Sequence, residues 1–372
     1  MIIINFMKKF PLIIFLGVVV ILLINYFFPH LPEKNENKNS VVSRVRSDET
    51  IGFTNFASLS LEELFLYHSP QDLPQKSSKK YVLIATGDVL AARTVNYKMV
   101  QQNNFKFPFA KTKELLKSAD ILFINLETPL LKNCPVTHEG MIFCGDERSV
   151  EGLKDVNVDV VNIANNHSYN HGLDGVNETV ELLEKNNFLV TGNKKPAILD
   201  VNDKKFGFLG YNDIGTQEEG ITWADIPTME KEINDLKTKV DFVIVQFHWG
   251  VEYVYDPSQR QRELGQKAID FGADLIIGNH PHWVQGVEIY KDKLITYAHG
   301  NFVFDQMWSQ ETREGVVGVY TFNDKYLEDV KFYPVIIEDY VQPRFANETE
   351  AKKILDAMKN STKRISESNL LR

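Results

Sequence analysis

Cysteine is nearly absent: the 372-residue chain holds two, Cys134 and Cys144. Their spacing is not Cys-x-x-Cys and no zinc pattern surrounds them, which argues against a thiolate metal centre. Excess basic charge is missing too. Lys plus Arg number 41 against 50 Asp plus Glu, a formal charge of −9, whereas nucleic-acid or anionic-lipid binders rely on surplus cations. A polyanionic substrate would therefore need a local cationic site, such as a bound metal. No Gly-rich loop opens a helix as a nucleotide phosphate site would. No internal repeat or low-complexity tract follows residue 80. Apolar residues make up 43% of the chain, enough for a real core.

One long hydrophobic run stands apart. "FPLIIFLGVVVILLINYFF", Phe10 to Phe28, carries no charge and as a helix would span roughly 28 Å, close to the ~30 Å hydrocarbon core of a bilayer. Lys8 and Lys9 precede it, so a single-pass anchor in the cell membrane is expected, with everything downstream extracytoplasmic. The rival is a cleaved signal peptide, but the run exceeds the usual apolar core and no small-x-small site follows. The expected organisation is therefore a cytoplasmic N-terminus and transmembrane anchor over 1–30, a linker over 31–79, a globular domain over 80–345 and a C-terminal helix over 346–372. Within the linker, "SLSLEELFLY" predicts one short amphipathic helix. In an oxidising compartment Cys134 and Cys144 are expected to close a disulfide, which would contribute about 3 kcal/mol by chain entropy.

Beyond residue 80, strand-length apolar runs alternate with helical patterns. "YVLIATG", "ADILFINLE", "VDVVNIANN", "KFGFLGYND", "DFVIVQFHW" and "ADLIIGN" read as strands buried on both faces, and "DGVNETVELLEKNN" and "SQRQRELGQKAIDFG" as helices. That pattern predicts an α/β fold with a largely parallel sheet. Further on, "QGVEIY", "KLITYAHGNFVF", "EGVVGVYTF" and "VKFYPVII" follow with little helix between and predict antiparallel strands. Two packed sheets with helices outside accommodate both.

Ligands in open α/β folds bind beyond the carboxyl ends of the strands. The residues ending these runs are Asp88, Glu127, Asn166, His167, His248, His280 and His282, all oxygen or imidazole donors, with Asn301 and Asp305 nearby. Singly, each has an ordinary explanation: a helix cap, an ion-paired acid, a turn amide, a core histidine. In His280-Pro281-His282, alternate residues on extended backbone would face one side. Mixed carboxylate, amide and imidazole donors suit one or two divalent ions such as Zn, Mn or Fe. Glu127 is the natural bridge between two ions, and His167 is suited to give a proton to a leaving oxygen. Trp249 and Trp283 are expected in the core.

The stretches "ATGDVL", "ADILFINLETPL", "VDVVNIANNHSYNHG", "FVIVQFHWGVEY", "GADLIIGNHPHWVQGVEIY" and "LITYAHGNFVFDQ" together resemble the metallophosphatase (calcineurin-like) superfamily. They resemble most its bacterial capsule-synthesis, poly-γ-glutamate biosynthesis CapA branch. The resemblance implies a four-layer αββα fold. It also implies metal positions at Asp88, Glu127, Asn166, His248, His280 and His282, a catalytic imidazole at His167, and substrate contacts at Asn125, Glu252 and Asn301. Leu90, Asn170 and His299 depart from the family pattern, where His, Asp and an apolar residue are usual. Implied partners are the membrane, a surface polymer such as poly-γ-glutamate or a phosphoester, and other capsule-synthesis membrane proteins; nucleic acid is not expected. Three functions compete: a metal-dependent hydrolase, a non-catalytic polymer-export scaffold with a degenerate metal site, and a surface phosphoesterase or nucleotidase.

Overall fold

Two mixed sheets stack face to face in the computed structural model, which describes residues 61, 63–71, 73, 74 and 79–370. The first sheet runs Gln342–Phe345, Leu327–Glu338, Glu314–Phe322, Tyr81–Val89, Ile121–Leu126, Val160–Asn162, Leu189–Thr191, with Asn301–Val303 also alongside Tyr81–Val89. The second runs Val287–Tyr290, Lys293–Thr296, Leu275–Asn279, Phe242–His248, Lys204–Asn212, Ala197–Val201. Each has a parallel centre and antiparallel strands at one or both flanks.

Strand alternation builds the layers. Tyr81, Leu83, Ala85, Phe123, Phe206, Phe242, Ile244 and Leu275 point into one core between the sheets. Their neighbours Val82, Ile84, Leu122 and Ile124 point outward, to pack with Val95, Met99, Leu153, Val176 and Leu183 from helices including Arg93–Gln102 and Gly172–Lys185. On the far side Val243, Val245 and Phe247 meet Met229, Ile233, Leu264 and Ala268 from helices Ile226–Lys237 and Gln259–Asp270. Helices, sheet, sheet and helices thus make a mixed α/β sandwich. Capping agrees with the local sequence: Ser258 and Gln261 form a reciprocal capping box at the start of Gln259–Asp270, which satisfies amides no helix can pair internally.

Of "SLSLEELFLY", residues 58–60 and 62 lie outside the described residues; the described part holds one 3₁₀ turn, Glu63–Phe65, with Leu64 buried and Leu61 and Phe65 packed beside it. Two expectations are corrected. The run "KLITYAHGNFVF" is two strands, one in each sheet: Lys293–Thr296 pairs antiparallel with Val287–Tyr290 as expected but parallel with Leu275–Asn279, and Asn301–Val303 pairs parallel with Tyr81–Val89. Gly300 at φ +71 makes the switch, a conformation open to glycine at no steric cost. Last, His280 and His282 are not on extended backbone, since both have positive φ, +96 and +59. The apolar run Phe10–Phe28 lies outside the described residues. Among those described, no helix is long and apolar enough to cross a membrane.

Trp249 is fully buried, stacked on Phe247 with ring centroids 4.3 Å apart, and its Nε1 donates to the Tyr297 carbonyl at 2.8 Å. Trp283 is half-buried against Tyr255. The final helix, Glu348–Leu370, inserts Ala351, Ile354, Leu355 and Met358 into the inter-sheet core.

Candidate metal centre

Strand register gathers the polar heads. In the first sheet Asp88 is level with both Asn125 and Asn301, and Asn125 is level with Asn162. In the second, His248 is level with Asn279 and Asn212. One rung across each sheet is therefore polar, and the two rungs meet: Asn125 and Asn279 each donate to Asp88 Oδ1 at 2.8 Å, and the His280 amide donates to Asp88 Oδ2 at 3.2 Å.

The expected donors converge. Asp88, Glu127 and His282 present ligand atoms within 4.8 Å of one another. The Nε2 atoms of His167, His248 and His282 each lie 3.9 Å from Glu127 Oε1. His248 Nε2 is also 2.8 Å from Asn166 Oδ1 and 3.1 Å from His280 Nδ1. A 3.9 Å gap is too long for a hydrogen bond. It is short enough for a shared ion, since two atoms bound at about 2.0–2.2 Å stand at most ~4.4 Å apart.

Glu127 is the informative residue. It is fully buried, and neither carboxylate oxygen has a hydrogen-bond partner. Burial, then the nearby Asp88 and Glu252 charges, push its carboxyl well above the usual range, partly offset by Arg93. Asp88 moves the other way. Burial alone would raise it, but the neighbouring imidazoles and the Asn125 amide hold it well below the ordinary value. Burial lowers His280 to about 3 and His167 to about 4, and takes His248 well below its usual 6.5. Neutral rings keep the lone pairs a metal needs. A buried acid with no hydrogen-bond partner, ringed by imidazole nitrogens, is a donor set that a divalent cation fits, because the cation supplies the counter-charge a buried carboxylate needs.

Neighbouring side chains fix the rings. Asn301 donates its Nδ2 to Gln306 and to the Thr312 carbonyl, so its Oδ1 faces His282 Nδ1 at 2.8 Å. That acceptor puts the proton on Nδ1 and leaves the His282 Nε2 lone pair toward Glu127, as metal-binding imidazoles require. Asn170 acts likewise on His167: its Oδ1 accepts the Phe143 amide at 2.7 Å and lies 3.1 Å from His167 Nδ1. The resting His167 is therefore neutral, with Nε2 as a proton acceptor. Its Nε2 points toward Glu127, 3.9 Å from Oε1.

Two of the three expected substrate contacts are fully buried. Asn125 is fully buried and spent on Asp88, with its Oδ1 accepting from Asn162 and Asn165. Asn301 is fully buried and spent on His282. Both orient neighbouring side chains, Asp88 and His282 respectively. Glu252 lies with His280 and His282, all three ligand atoms within 4.8 Å of one another. Asp305 pairs with Arg93 and accepts the Thr94 amide at 3.2 Å. Leu90 is fully buried among apolar residues, and His299 Nε2 lies 2.8 Å from the Tyr320 hydroxyl.

Sequence patterns left out the Asn162, Asn165 and Asn279 amides; for Asn162 and Asn279 a polar residue within a buried strand was the available signal, while Asn165 lies in the bend beyond its strand. They also missed a stack of Arg93, Phe143 and His167. The Arg93 guanidinium sits 4.5 Å from the Phe143 ring centroid, and Phe143 lies on His167 at 3.8 Å, 17° from parallel. Phe143 adjoins Cys144, which is disulfide-bonded to Cys134. The bridge closes a short loop, so exchanging both cysteines for serine is expected to cost ~3 kcal/mol, lowering the melting temperature by roughly 5–10 °C. A melting curve unchanged by the double substitution would refute this.

A family model described as bacterial capsule synthesis protein PGA_cap matches residues 82–306. The chain is 32% identical over 276 residues to the PGA biosynthesis protein CapA of Bacillus subtilis (strain 168), spanning 69% of this chain and 72% of that relative. It is 29% identical over 286 residues to the capsule biosynthesis protein CapA of Bacillus anthracis, spanning 71% and 69%. A solved structure of a phosphatase from Mycoplasma pneumoniae is similar at 14% identity and a TM-score of 0.46, covering 71% of this chain and 95% of that one.

Proposed function

Because the chain belongs to the bacterial capsule synthesis protein family PGA_cap, we propose that it serves the synthesis or export of a poly-γ-glutamate-like surface polymer as a metal-dependent hydrolase. The names of the two Bacillus relatives support the polymer, and the apolar run Phe10–Phe28 supports a single membrane anchor with the folded part outside. Other capsule-synthesis membrane proteins are the proposed partners. The observation that carries the hydrolase reading is Glu127, buried, without hydrogen-bond partners and ringed by imidazoles.

Asp88, Glu127, Asn166, His248, His280 and His282 would hold one or two divalent ions, Zn, Mn or Fe. Such ions polarise a phosphoryl or acyl oxygen and make hydroxide available near neutral pH. The chain's own contribution is order. Asn125 and Asn279 aim Asp88, Asn301 aims His282, and Asn170 holds the His167 proton on Nδ1 so that Nε2 accepts one. Arg93, paired with Asp305, adds positive charge beside Glu127 and His167.

The test is metal content after equilibration with Mn²⁺, Zn²⁺ or Fe²⁺, together with hydrolysis of a generic phosphodiester and of γ-linked polyglutamate. His167→Ala is expected to retain the cation and lose about 10²-fold or more in turnover. Wild-type protein that binds no cation and hydrolyses neither substrate would overturn the hydrolase; normal surface polymer in cells carrying His167→Ala would make catalysis dispensable.

A further inference from the structure

Glu252 reaches the centre by a different route from the other donors. It follows the strand Phe242–His248 after a turn at Gly250, φ +95, and precedes Tyr253, φ +61. This turn is fastened to the His280-Pro281-His282 turn at two points. The Tyr253 amide donates to the Pro281 carbonyl at 2.9 Å, and the Tyr253 ring stacks on His282 with centroids 6.1 Å apart. The Gln306 amide also donates to the Tyr253 hydroxyl at 3.3 Å. Two left-handed turns, each carrying donors, are therefore locked against each other. Backbone in such conformations persists only where its surroundings enforce it.

The result is a second set of ligand atoms. One carboxylate oxygen of Glu252 and one nitrogen each of His280 and His282 lie within 4.8 Å of one another. Glu252 is the least buried of the three, so this set faces the open side of the centre.

We propose that Glu252 is a metal ligand, forming with His280 and His282 a two-imidazole, one-carboxylate seat for a divalent cation of the Mn²⁺, Zn²⁺ or Fe²⁺ type. Three protein donors leave coordination positions for water or substrate, the arrangement of catalytic rather than structural metal sites. The proposal rests on the metal-centre reading above and extends it: the ion at His282 is held from the solvent side as well as from the strand ends. Glu252 thereby acts on the ion, not directly on the substrate.

The experiment titrates Mn²⁺ into metal-stripped full-length protein, following free Mn²⁺ by electron paramagnetic resonance, for wild type, Glu252→Gln, Glu252→Ala and Glu127→Gln. Melting curves of the stripped proteins establish that each variant folds. Both Glu252 variants are expected to lose roughly tenfold or more in Mn²⁺ affinity, as losses around metal sites commonly do, or to lose one bound equivalent. The deficit should persist at about 0.5 M NaCl, where a remote charge would be screened. Wild-type affinity and stoichiometry in folded Glu252 variants, or a deficit abolished by salt, overturns this proposal while a loss in Glu127→Gln keeps the metal centre. Failure of wild type itself to bind Mn²⁺, Zn²⁺ or Fe²⁺ removes the metal-centre reading and this proposal with it.

Discussion

Glu127→Gln is expected to abolish most of the rise in melting temperature that a saturating divalent cation gives the wild-type protein. Its carboxylate is sealed from water and receives no hydrogen bond, so its charged form is costly unless a cation stands beside it. Glutamine keeps the shape and removes the charge. A ligand at 100 times its Kd stabilises the folded state by about 2.7 kcal/mol, which for a domain of this size is roughly 5–10 °C. Calorimetry with chelator and then with excess Mn²⁺ measures the increment in both proteins. Equal increments would remove Glu127 from the ligand set.

The pH dependence of the stripped proteins gives a second reading. The folded Glu127 holds its proton well above the ordinary 4.5, so the folded state binds more protons than the unfolded one. Its contribution to stability is complete below about 4.5 and is lost as pH rises toward the raised value. The depressed imidazoles, His167, His248 and His280, act oppositely below their ordinary 6.5. His167 and His248 stand 3.9 Å from Glu127 and titrate coupled to it, so the difference between wild type and Glu127→Gln is read above 6.5, where these rings are neutral in folded and unfolded states alike. That difference should move against the wild type as pH rises, and a flat difference would place Glu127 outside the buried, partnerless environment.

The strand-end donors were legible because the strands are buried on both faces: an uninterrupted apolar run that stops at a carboxylate, amide or imidazole marks where the sheet meets a ligand. Glu127 and His248 follow that logic at their strand ends and Asp88 one residue before its own, whereas Asn166 lies in the turn beyond Val160–Asn162. The His280 and His282 pair was found for a mistaken reason, since left-handed backbone, not strand alternation, turns both rings to the centre. Both rings are buried, 4% and 2% exposed. The amide rung of Asn125, Asn162, Asn279 and Asn301 depends on register between strands distant in sequence, which no local pattern encodes. Phe143 was hidden for the same reason. Only the folded loop brings a residue beside Cys144 onto His167.

Gly87 shows how little space that register leaves. A Cβ at this position would stand 2.2 Å from the Gly300 carbonyl oxygen and 3.0 Å from the Asn301 carbonyl carbon, both backbone atoms that no rotamer change can move. The next amide, Asp88 N–H, donates to that same Gly300 oxygen at 3.0 Å, and Asp88 is level with Asn301. Gly87→Ala must therefore push the two strands apart at the rung that carries Asp88 and the amide orienting His282. Overpacking of this kind costs about 1–3 kcal/mol, roughly 2–10 °C in melting temperature. Cation affinity should fall at least about tenfold as well, comparable to the loss of a supporting contact at a metal site, although no donor atom is removed. Melting and Mn²⁺ titration of the one variant read both effects together. Wild-type affinity in a destabilised Gly87→Ala protein would mean that the strands can separate without disturbing the centre, and that the polar rung is not what holds its geometry.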